Sequence, residues 1–413
     1  MFPFKMVWRN LMNRKLQSAV TIIIVCVGVA LAQGVMLLSD GMKEGMKRTS
    51  EPYGMLVGSK GSSTQLVMNT IFLSDTPLGN LEYSFFESLR KDPRVVQAVP
   101  FSMGDNYKGF RIIGTNANLF DMRGKPSDPP FLHLKEGRAF EQPFEVVLGS
   151  ETARQAHLKL GQSFIASHGA IAGHGEEEQH TQKPYTVVGV LAKTSSSADL
   201  GIYTPLESYW LSHDHTESSA QNMEEEHEEG HEEEQGVTAI LVKPDSYLHL
   251  FELYQEINQG KEAQAVFPGK VMAEWFDLIG SGEKVLQWIS YAVLGMAGLS
   301  IMLSLFGSML ERKRTVAILR AIGASKKTIL VSVFLETFVL ILIGTLLGVV
   351  SGYGIAMALT SFLSDVQGIG IVPVFQFKLY AVVFGVCFIG LIGSLIPALS
   401  SYRTEVSKYL NSV

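Results

Sequence analysis

Two long apolar runs constrain the fold of this 413-residue chain more than any other feature of its sequence. Val285–Leu310 and Ile329–Leu363 are each long enough to cross a bilayer, which takes about 20 apolar residues in a helix. They flank the basic segment ERKRTVAILRAIGAS, Glu311–Ser325. Short basic loops between membrane helices stay in the cytoplasm, so we expect this segment to be cytoplasmic.

Two further apolar runs bring the predicted number of membrane helices to four. Ala19–Leu38 follows several basic residues and is predicted to be a signal anchor. Ala30-Leu31-Ala32 resembles the cleavage site of a signal peptide, but the apolar run is too long for that alternative. Leu379–Leu399 is the fourth predicted span. The charge pattern predicts a multi-pass membrane protein with both termini in the cytoplasm.

These spans divide the chain into membrane and soluble segments. The predicted segments are, in order, a cytoplasmic amphipathic N-terminal helix (1–16), transmembrane helix 1 (17–38), an extracytoplasmic domain (39–284), transmembrane helix 2 (285–310), a cytoplasmic basic segment (311–327), transmembrane helix 3 (328–360), an outer loop (361–377), transmembrane helix 4 (378–400) and a cytoplasmic tail (401–413). The predicted fold class is four transmembrane α-helices plus an extracytoplasmic α+β domain inserted between helices 1 and 2.

Glycines recur along the third predicted span, at Gly344, Gly348, Gly352 and Gly354. Small residues four apart let two membrane helices approach closely. Packing within one chain and a contact between two copies of the chain both remain open.

The segment between the first two spans is predicted to be a soluble α+β domain. Alternating apolar residues indicate strands, and apolar residues three or four apart indicate helices. The predicted strands are Phe110–Gly114, Glu145–Leu148, Tyr185–Leu191 and Thr238–Val242. The predicted helices are Glu82–Lys91, Ser150–Lys159 and Ser246–Ile279, the last of which is expected to continue into the second span as a stalk.

The basic segment resembles the signature that follows the second membrane helix of FtsX-like, MacB-type and lipoprotein-releasing ABC transporter permeases. Stretches of the outer domain resemble the MacB-type core domain in order and spacing, namely Gly114–Phe120, Val146–Phe164, Tyr185–Leu206 and Thr238–Lys243. The resemblance implies a protein of the bacterial inner (plasma) membrane in which 311–327 is a coupling elbow. It further implies a cytoplasmic ABC ATPase subunit that contacts this elbow, and a second copy or related permease as partner. The residues implied in coupling to the ATPase are Glu311, Arg312, Lys313, Arg314, Val316, Ile318, Leu319, Arg320, Ile322 and Gly323.

Two hydrophilic loops, 167–183 and 211–236, depart from the family pattern. They are rich in histidine, glutamate or both. Imidazole and carboxylate groups bind zinc and other transition metals, so we hypothesise that these loops bind metal. An inert solvated loop and a pH-sensitive loop are the alternatives. The candidate ligands are His168, His174, His180, His213, His215, His227 and His231.

The sequence indicates no enzyme and no nucleic-acid-binding protein. It lacks the G-x-x-x-x-G-K-[ST] motif, so ATP is expected to be bound and hydrolysed in the partner subunit. The expected function is a permease subunit that transmits ATP-driven motion to its outer domain, in handling of zinc or another transition metal with an extracytoplasmic metal-binding or channel partner. The alternatives are export or extraction of a lipoprotein, peptide or drug, and a non-transporting switch that regulates a cell-wall hydrolase.

Overall fold

The chain folds into two compact units. The computed structural model describes residues 2–50, 52–124, 127–169, 183–213, 236–321 and 325–367, together with 384, 385 and 388. One unit is built on Met1–Gly41 and Leu278–Thr360, and the other on Met42–Asp277. The first unit contains predicted membrane helices, and the second contains the predicted outer domain.

The described residues form helices in both units and strands in the outer unit. The helices among the described residues are α1 (Phe2–Asn13), α2 (Lys15–Ser50), α3 (Ser63–Thr70), α4 (Tyr83–Lys91), α5 (Ser150–Gln155), α6 (Leu206–His213), α7 (Tyr247–Gln259), α8 (Pro268–Ala321) and α9 (Lys326–Gln367). The strands are β1 (Met55–Ser59), β2 (Leu81–Glu82), β3 (Val95–Tyr107), β4 (Phe110–Thr115), β5 (Leu134–Gly137), β6 (Glu145–Leu148), β7 (Ser163–Phe164), β8 (Ser167–His168), β9 (Tyr185–Leu191), β10 (Ile202–Pro205), β11 (Gly236–Val237), β12 (Ala239–Pro244) and β13 (Ala263–Val266).

Two stretches of the described residues are long and apolar enough to cross a membrane. They are Lys15–Lys47 in α2 and Phe334–Phe362 in α9. The predicted second span, 285–310, lies inside α8. The predicted fourth span, 378–400, lies outside the described residues apart from three positions. The count of four spans therefore stays a prediction.

The long helices extend further than the sequence predicted. The helix expected over Ser246–Ile279 is interrupted, because α7 ends at Gln259 and strand β13 follows it. Helix α8 begins at Pro268, whose fixed φ suits the first helical position. No other proline occurs before Ala321, so α8 runs unbroken through the second span into the expected elbow. Helix α9 likewise continues through 361–367, where the outer loop was expected.

Helices α2 and α9 pack closely along the glycines of α9. A Cβ at Gly348 would lie 2.7 Å from the Cβ of Val29 and 2.8 Å from the carbonyl oxygen of Cys26. A Cβ at Gly344 would lie 2.8 Å from the Cβ of Val25, and a Cβ at Gly352 would lie 3.0 Å from the Cα of Ala30. Gly344, Gly348 and Gly352 therefore serve helix packing within one chain, which is one of the two alternatives that the sequence leaves open.

The outer unit is built on one large mixed sheet. Its strand order is β13-β1-β12-β3-β4-β10-β6-β9-β5, with β7 on β9 and β8 on β3. Strands β1, β12, β3 and β4 pair antiparallel, whereas β10 runs parallel to β4 and β9 parallel to β6. The predicted strands Glu145–Leu148 and Tyr185–Leu191 occur with those bounds. The predicted helix Ser150–Lys159 is shorter, because His157 adopts a φ of 57° just after α5 ends.

The ends of two long helices form part of the core of the outer unit. Met46 of α2 and Met272 of α8 are buried in the same apolar cluster as Leu56 of β1 and Val99 of β3. Trp275, one turn further along α8, packs against this cluster. Burial of one such side chain contributes about 1.5–3 kcal/mol. The C-terminal end of α2 and the N-terminal end of α8 are therefore packed into the core of the outer unit.

Candidate functional site

The predicted coupling residues lie at the end of α8 and just beyond it. The backbone from Glu311 to Arg320 is helical, and the side chains of this stretch are outside the described part of the structure. Ile322 and Gly323 lie outside the described residues altogether. The coupling roles of these residues stay predictions.

Two of the predicted metal ligands lie at the ends of described helices or strands. His213 is the last residue of α6, and His168 is the last residue of β8. The ring of His213 is described, whereas only the backbone of His168 is. The other predicted ligands, His174, His180, His215, His227 and His231, lie outside the described residues.

Both histidine-rich loops are anchored on the same stretch of β3. At the first loop, the N–H of Gly169 donates to the carbonyl oxygen of Gly104 (2.9 Å), and Asn106 Nδ2 donates to the carbonyl oxygen of Gly169 (2.7 Å). At the second loop, Ser102 Oγ donates to the carbonyl oxygen of Gly236 (3.0 Å). The described ends of two loops that are separate in sequence, Gly169 and Gly236, therefore lie beside the same few residues of β3.

A β-bulge in this stretch of β3 changes the direction of the Asp105 side chain. The register of β3 on β4 shifts between Met103 and Asp105, and Asp105 pairs with His168 of β8. A side chain at Gly104 would collide with the ring of Tyr209 on α6. Bulges bend a strand and redirect its side chains. The side chain of Asp105 is fully buried here, with 0% exposure.

Asp105 lies next to the imidazole of His213. His213 Nε2 is 3.5 Å from Asp105 Oδ1, and Nδ1 is 2.8 Å from the carbonyl oxygen of Tyr209. Ser212 Oγ lies 3.4 Å from Asp105 Oδ2. The side chain of His213 is 20% exposed, whereas that of Asp105 is fully buried.

The charge of Asp105 also acts on a neighbouring tyrosine. Tyr185, the first residue of β9, is buried close to the point where the chain returns from the first loop. Burial raises the pKa of the Tyr185 phenol well above its ordinary value, and the charge of Asp105 raises it further. The phenol of Tyr185 therefore stays neutral beside the carboxylate of Asp105.

Among the described residues, no group of three or more His, Cys, Asp or Glu could hold a metal ion.

One feature of this site, the β-bulge, was not predicted from the sequence. The dipeptide Gly104-Asp105 follows the mostly apolar run Val95–Met103 within β3, and a glycine inside a strand is typical of a bulge. The predicted ligands His227 and His231 belong to the stretch HEEGH, which fits the H-E-x-x-H pattern in which two histidines one helical turn apart bind zinc. It lies outside the described residues. Glu224–Gln235 contains no apolar residue that could pack such a turn into a protease core, so the pattern favours metal binding over proteolysis.

Two family models match consecutive parts of the chain. Residues 18–259 match the MacB-like periplasmic core domain, and residues 288–406 match the FtsX-like permease C-terminal domain. The first match alone covers more than half of the chain. The chain therefore belongs to the family of membrane-embedded ABC transporter permeases that combine these two domains, and the resemblance seen in its sequence motifs is confirmed.

Individual relatives are distant but extend over most of the chain. It is 24% identical over 399 residues to the uncharacterized ABC transporter permease YknZ of Bacillus subtilis, covering 95% of this chain and 94% of YknZ. It is 20% identical over 372 residues to the macrolide export ATP-binding/permease protein MacB of Aggregatibacter actinomycetemcomitans, covering 84% of this chain and 52% of MacB. The solved extracellular domain of the noncanonic ABC-type transporter YknZ from Gram-positive bacteria matches 51% of this chain with a TM-score of 0.29 and 14% identity.

Proposed function

We propose that this chain is the permease subunit that transmits ATP-driven motion from a separate cytoplasmic ATPase to its outer domain. The continuity of α8 carries this proposal. The helix begins in the core of the outer unit, where Met272 is buried, and continues without a break to Ala321 among the predicted coupling residues. A helix of 54 residues is about 80 Å long. A displacement at its cytoplasmic end would therefore reach the outer domain.

Family membership supports the partners in this proposal. An ABC permease works with a cytoplasmic ATPase, and we propose that two permease chains, identical or related, assemble on a pair of ATPase subunits. Each chain would cross the membrane four times and keep both termini in the cytoplasm. ATP hydrolysis can do work only if the coupling segment binds the two states of the ATPase with different affinity.

A proline in the middle of α8 tests this coupling. Gly282 lies in the helix, and a Cβ there would meet nothing within 4 Å. Gly282→Pro breaks the helix, at a cost of about 3 kcal/mol or more, whereas Gly282→Ala preserves it. We expect Gly282→Pro to co-purify with the ATPase but to lose the ATP-dependent signal of a fluorophore attached at the exposed position Val96. An undiminished signal in Gly282→Pro, equal to that of Gly282→Ala, would refute transmission through α8.

We also propose that the outer domain handles zinc or another transition metal, with an extracytoplasmic metal-binding or channel partner. The anchoring of both histidine-rich loops on one stretch of β3 supports this proposal, because it brings the start of the first loop and the end of the second loop to the same place. The test compares zinc bound by the full-length protein with zinc bound by a variant in which 214–235 is replaced by glycine and serine. We expect most of the bound zinc to be lost, and unchanged binding would contradict a role of this loop.

A further inference from the structure

We propose that the groove between the start of α2 and the middle of α8 binds an anionic phospholipid of the cytoplasmic leaflet. The groove has a volume of about 850 Å³, which lies within the range of about 300–1,000 Å³ typical of small-molecule sites. This lipid site goes beyond the proposed coupling role and uses only its topology, in which the N-terminus is cytoplasmic.

Two helices supply the apolar walls of the groove. Leu16 and Val20 of α2 form one wall, and Met296, Leu299 and Leu303 of α8 form the other. Within each helix these residues are three or four positions apart, so they lie on one face of that helix. Their exposed fractions run from 47% at Val20 to 83% at Leu16. Because an unfilled apolar concavity loses dispersion contacts, acyl chains suit these walls.

Polar and basic residues adjoin the apolar walls where α1 ends and α2 begins. Arg14 and Lys15 line the groove there, together with Asn13 and Gln17. Arg14 Nη1 donates to Gln17 Oε1 at 3.5 Å, and a guanidinium has further N–H donors, so this bond is compatible with donation to a phosphate. None of the described residues that line the groove is acidic. This end of the groove therefore favours a headgroup of net negative charge.

The order of these residues matches the order of groups in a phospholipid. In the proposed topology α2 leaves the cytoplasm at Lys15, so Val20 lies about 7.5 Å deeper in the membrane than Lys15. Helix α8 runs in the opposite direction, so Met296 lies about 10 Å deeper than Leu303. The basic residues are thus at the depth of the headgroups, and the apolar walls are at the depth of the acyl chains. Anionic lipids of the cytoplasmic leaflet attract basic residues next to a membrane helix.

Native mass spectrometry of the full-length protein in detergent tests the basic end of the site, because it counts the lipids bound to each chain. The probes are dioleoyl phosphatidylglycerol, which is anionic, and dioleoyl phosphatidylcholine, which is zwitterionic and carries the same acyl chains. We expect Lys15→Gln to lower the affinity of the tightest-bound phosphatidylglycerol about fivefold and to leave that of phosphatidylcholine unchanged. Lys327→Gln is the matched control, since Lys327 is exposed at the start of α9 and does not line the groove. It should leave both affinities unchanged.

A second pair of variants tests the apolar walls. Leu299→Trp places a larger side chain in the groove, so the affinity for both lipids should fall at least about fivefold. Leu346→Trp is the control, because Leu346 of α9 is 58% exposed, close to the 55% of Leu299, and does not line the groove. All the substituted positions are exposed, and thermal unfolding verifies that each variant folds.

Three outcomes would overturn the lipid site. Equal affinities of wild type and Lys15→Gln for phosphatidylglycerol would refute an anionic lipid at this position. Lipid binding that is unchanged by Leu299→Trp would refute the groove as the binding site. A two-chain complex that Leu299→Trp dissociates, with lipid binding unchanged, would assign the groove to a second copy of the chain. None of these results bears on transmission through α8, which Gly282→Pro tests separately.

Discussion

A buried arginine shows how single residues hold the outer domain together. Arg111 of β4 is 4% exposed, and its guanidinium donates to Asn69 Oδ1 and to the carbonyl oxygen of Asp75. Burial lowers the pKa of Arg111 to about 10, and the charge of Asp75 opposes this effect. Arg111 therefore remains charged at neutral pH and ties α3 and the segment after it to the sheet.

Replacing this arginine should destabilise the domain. Arg111→Met removes the donor of the buried Asn69 Oδ1 and of the partly buried carbonyl oxygen of Asp75, and we expect the free energy of unfolding to fall by about 2–4 kcal/mol. Urea unfolding followed by tryptophan fluorescence measures the change. Arg90→Met is the control: Arg90 is 54% exposed and pairs at the surface with Glu87, which is 21% exposed, so a loss below about 1 kcal/mol is expected. Equal losses in the two variants would contradict the structural role of Arg111.

The pair of Arg138 and Glu145 makes stability depend on acidic pH. Hydrogen bonds from Arg138, one of them 2.8 Å long, hold the pKa of Glu145 at about 2, below its ordinary value of 4.5. Because the folded pKa is the lower one, the pair stabilises the folded state above about pH 4.5, and this contribution is lost as the pH falls towards 2. The melting temperature of the wild type should therefore exceed that of Glu145→Gln at pH 7, and the difference between the two melting temperatures should shrink below pH 4. A difference independent of pH would be inconsistent with this assignment.

At the scale of elements, the contact between α2 and α9 depends on the absence of side chains. Gly348 meets Val29 and the backbone of Cys26, whereas a Cβ at Gly354 would meet nothing within 4 Å. We expect Gly348→Leu to separate the helices and to cost about 1–3 kcal/mol, and Gly354→Leu to have little effect. Thermal unfolding in detergent compares the two variants. Similar behaviour of both would mean that α2 and α9 do not pack along this face.

At the scale of the whole molecule, the coupling segment should determine whether the ATPase binds. Neutralising Arg312, Lys313 and Arg314 to serine removes the charges predicted to contact it. We expect co-purification of the ATPase to fall at least about tenfold, whereas Lys5→Ser with Arg9→Ser, which removes basic charge elsewhere on the predicted cytoplasmic face, should preserve it. Full co-purification with the triple variant would remove these residues from the predicted interface.

The sequence alone determined the features that depend on local patterns. Hydropathy located the apolar runs, alternation located strands such as Glu145–Leu148 and Tyr185–Leu191, and a contiguous basic motif identified the family. Each of these signals lies within a few turns or strand residues, where the bilayer thickness and the side-chain periodicity set the pattern. The same reasoning misplaced the ends of helices. Helix α8 extends beyond the predicted span 285–310 at both ends, because no helix-breaking residue marks the point where the apolar run stops.

The tertiary structure alone decided which distant residues meet. Gly344, Gly348 and Gly352 of α9 could have served a second copy of the chain, and only their contacts with α2 assign them to packing within one chain. Asp105 comes beside His213 only through a bulge and the packing of α6, while β8 pairs with the same strand position. Such contacts join residues about a hundred positions apart, and their geometry follows from the pairing order of the sheet, which local periodicity does not encode.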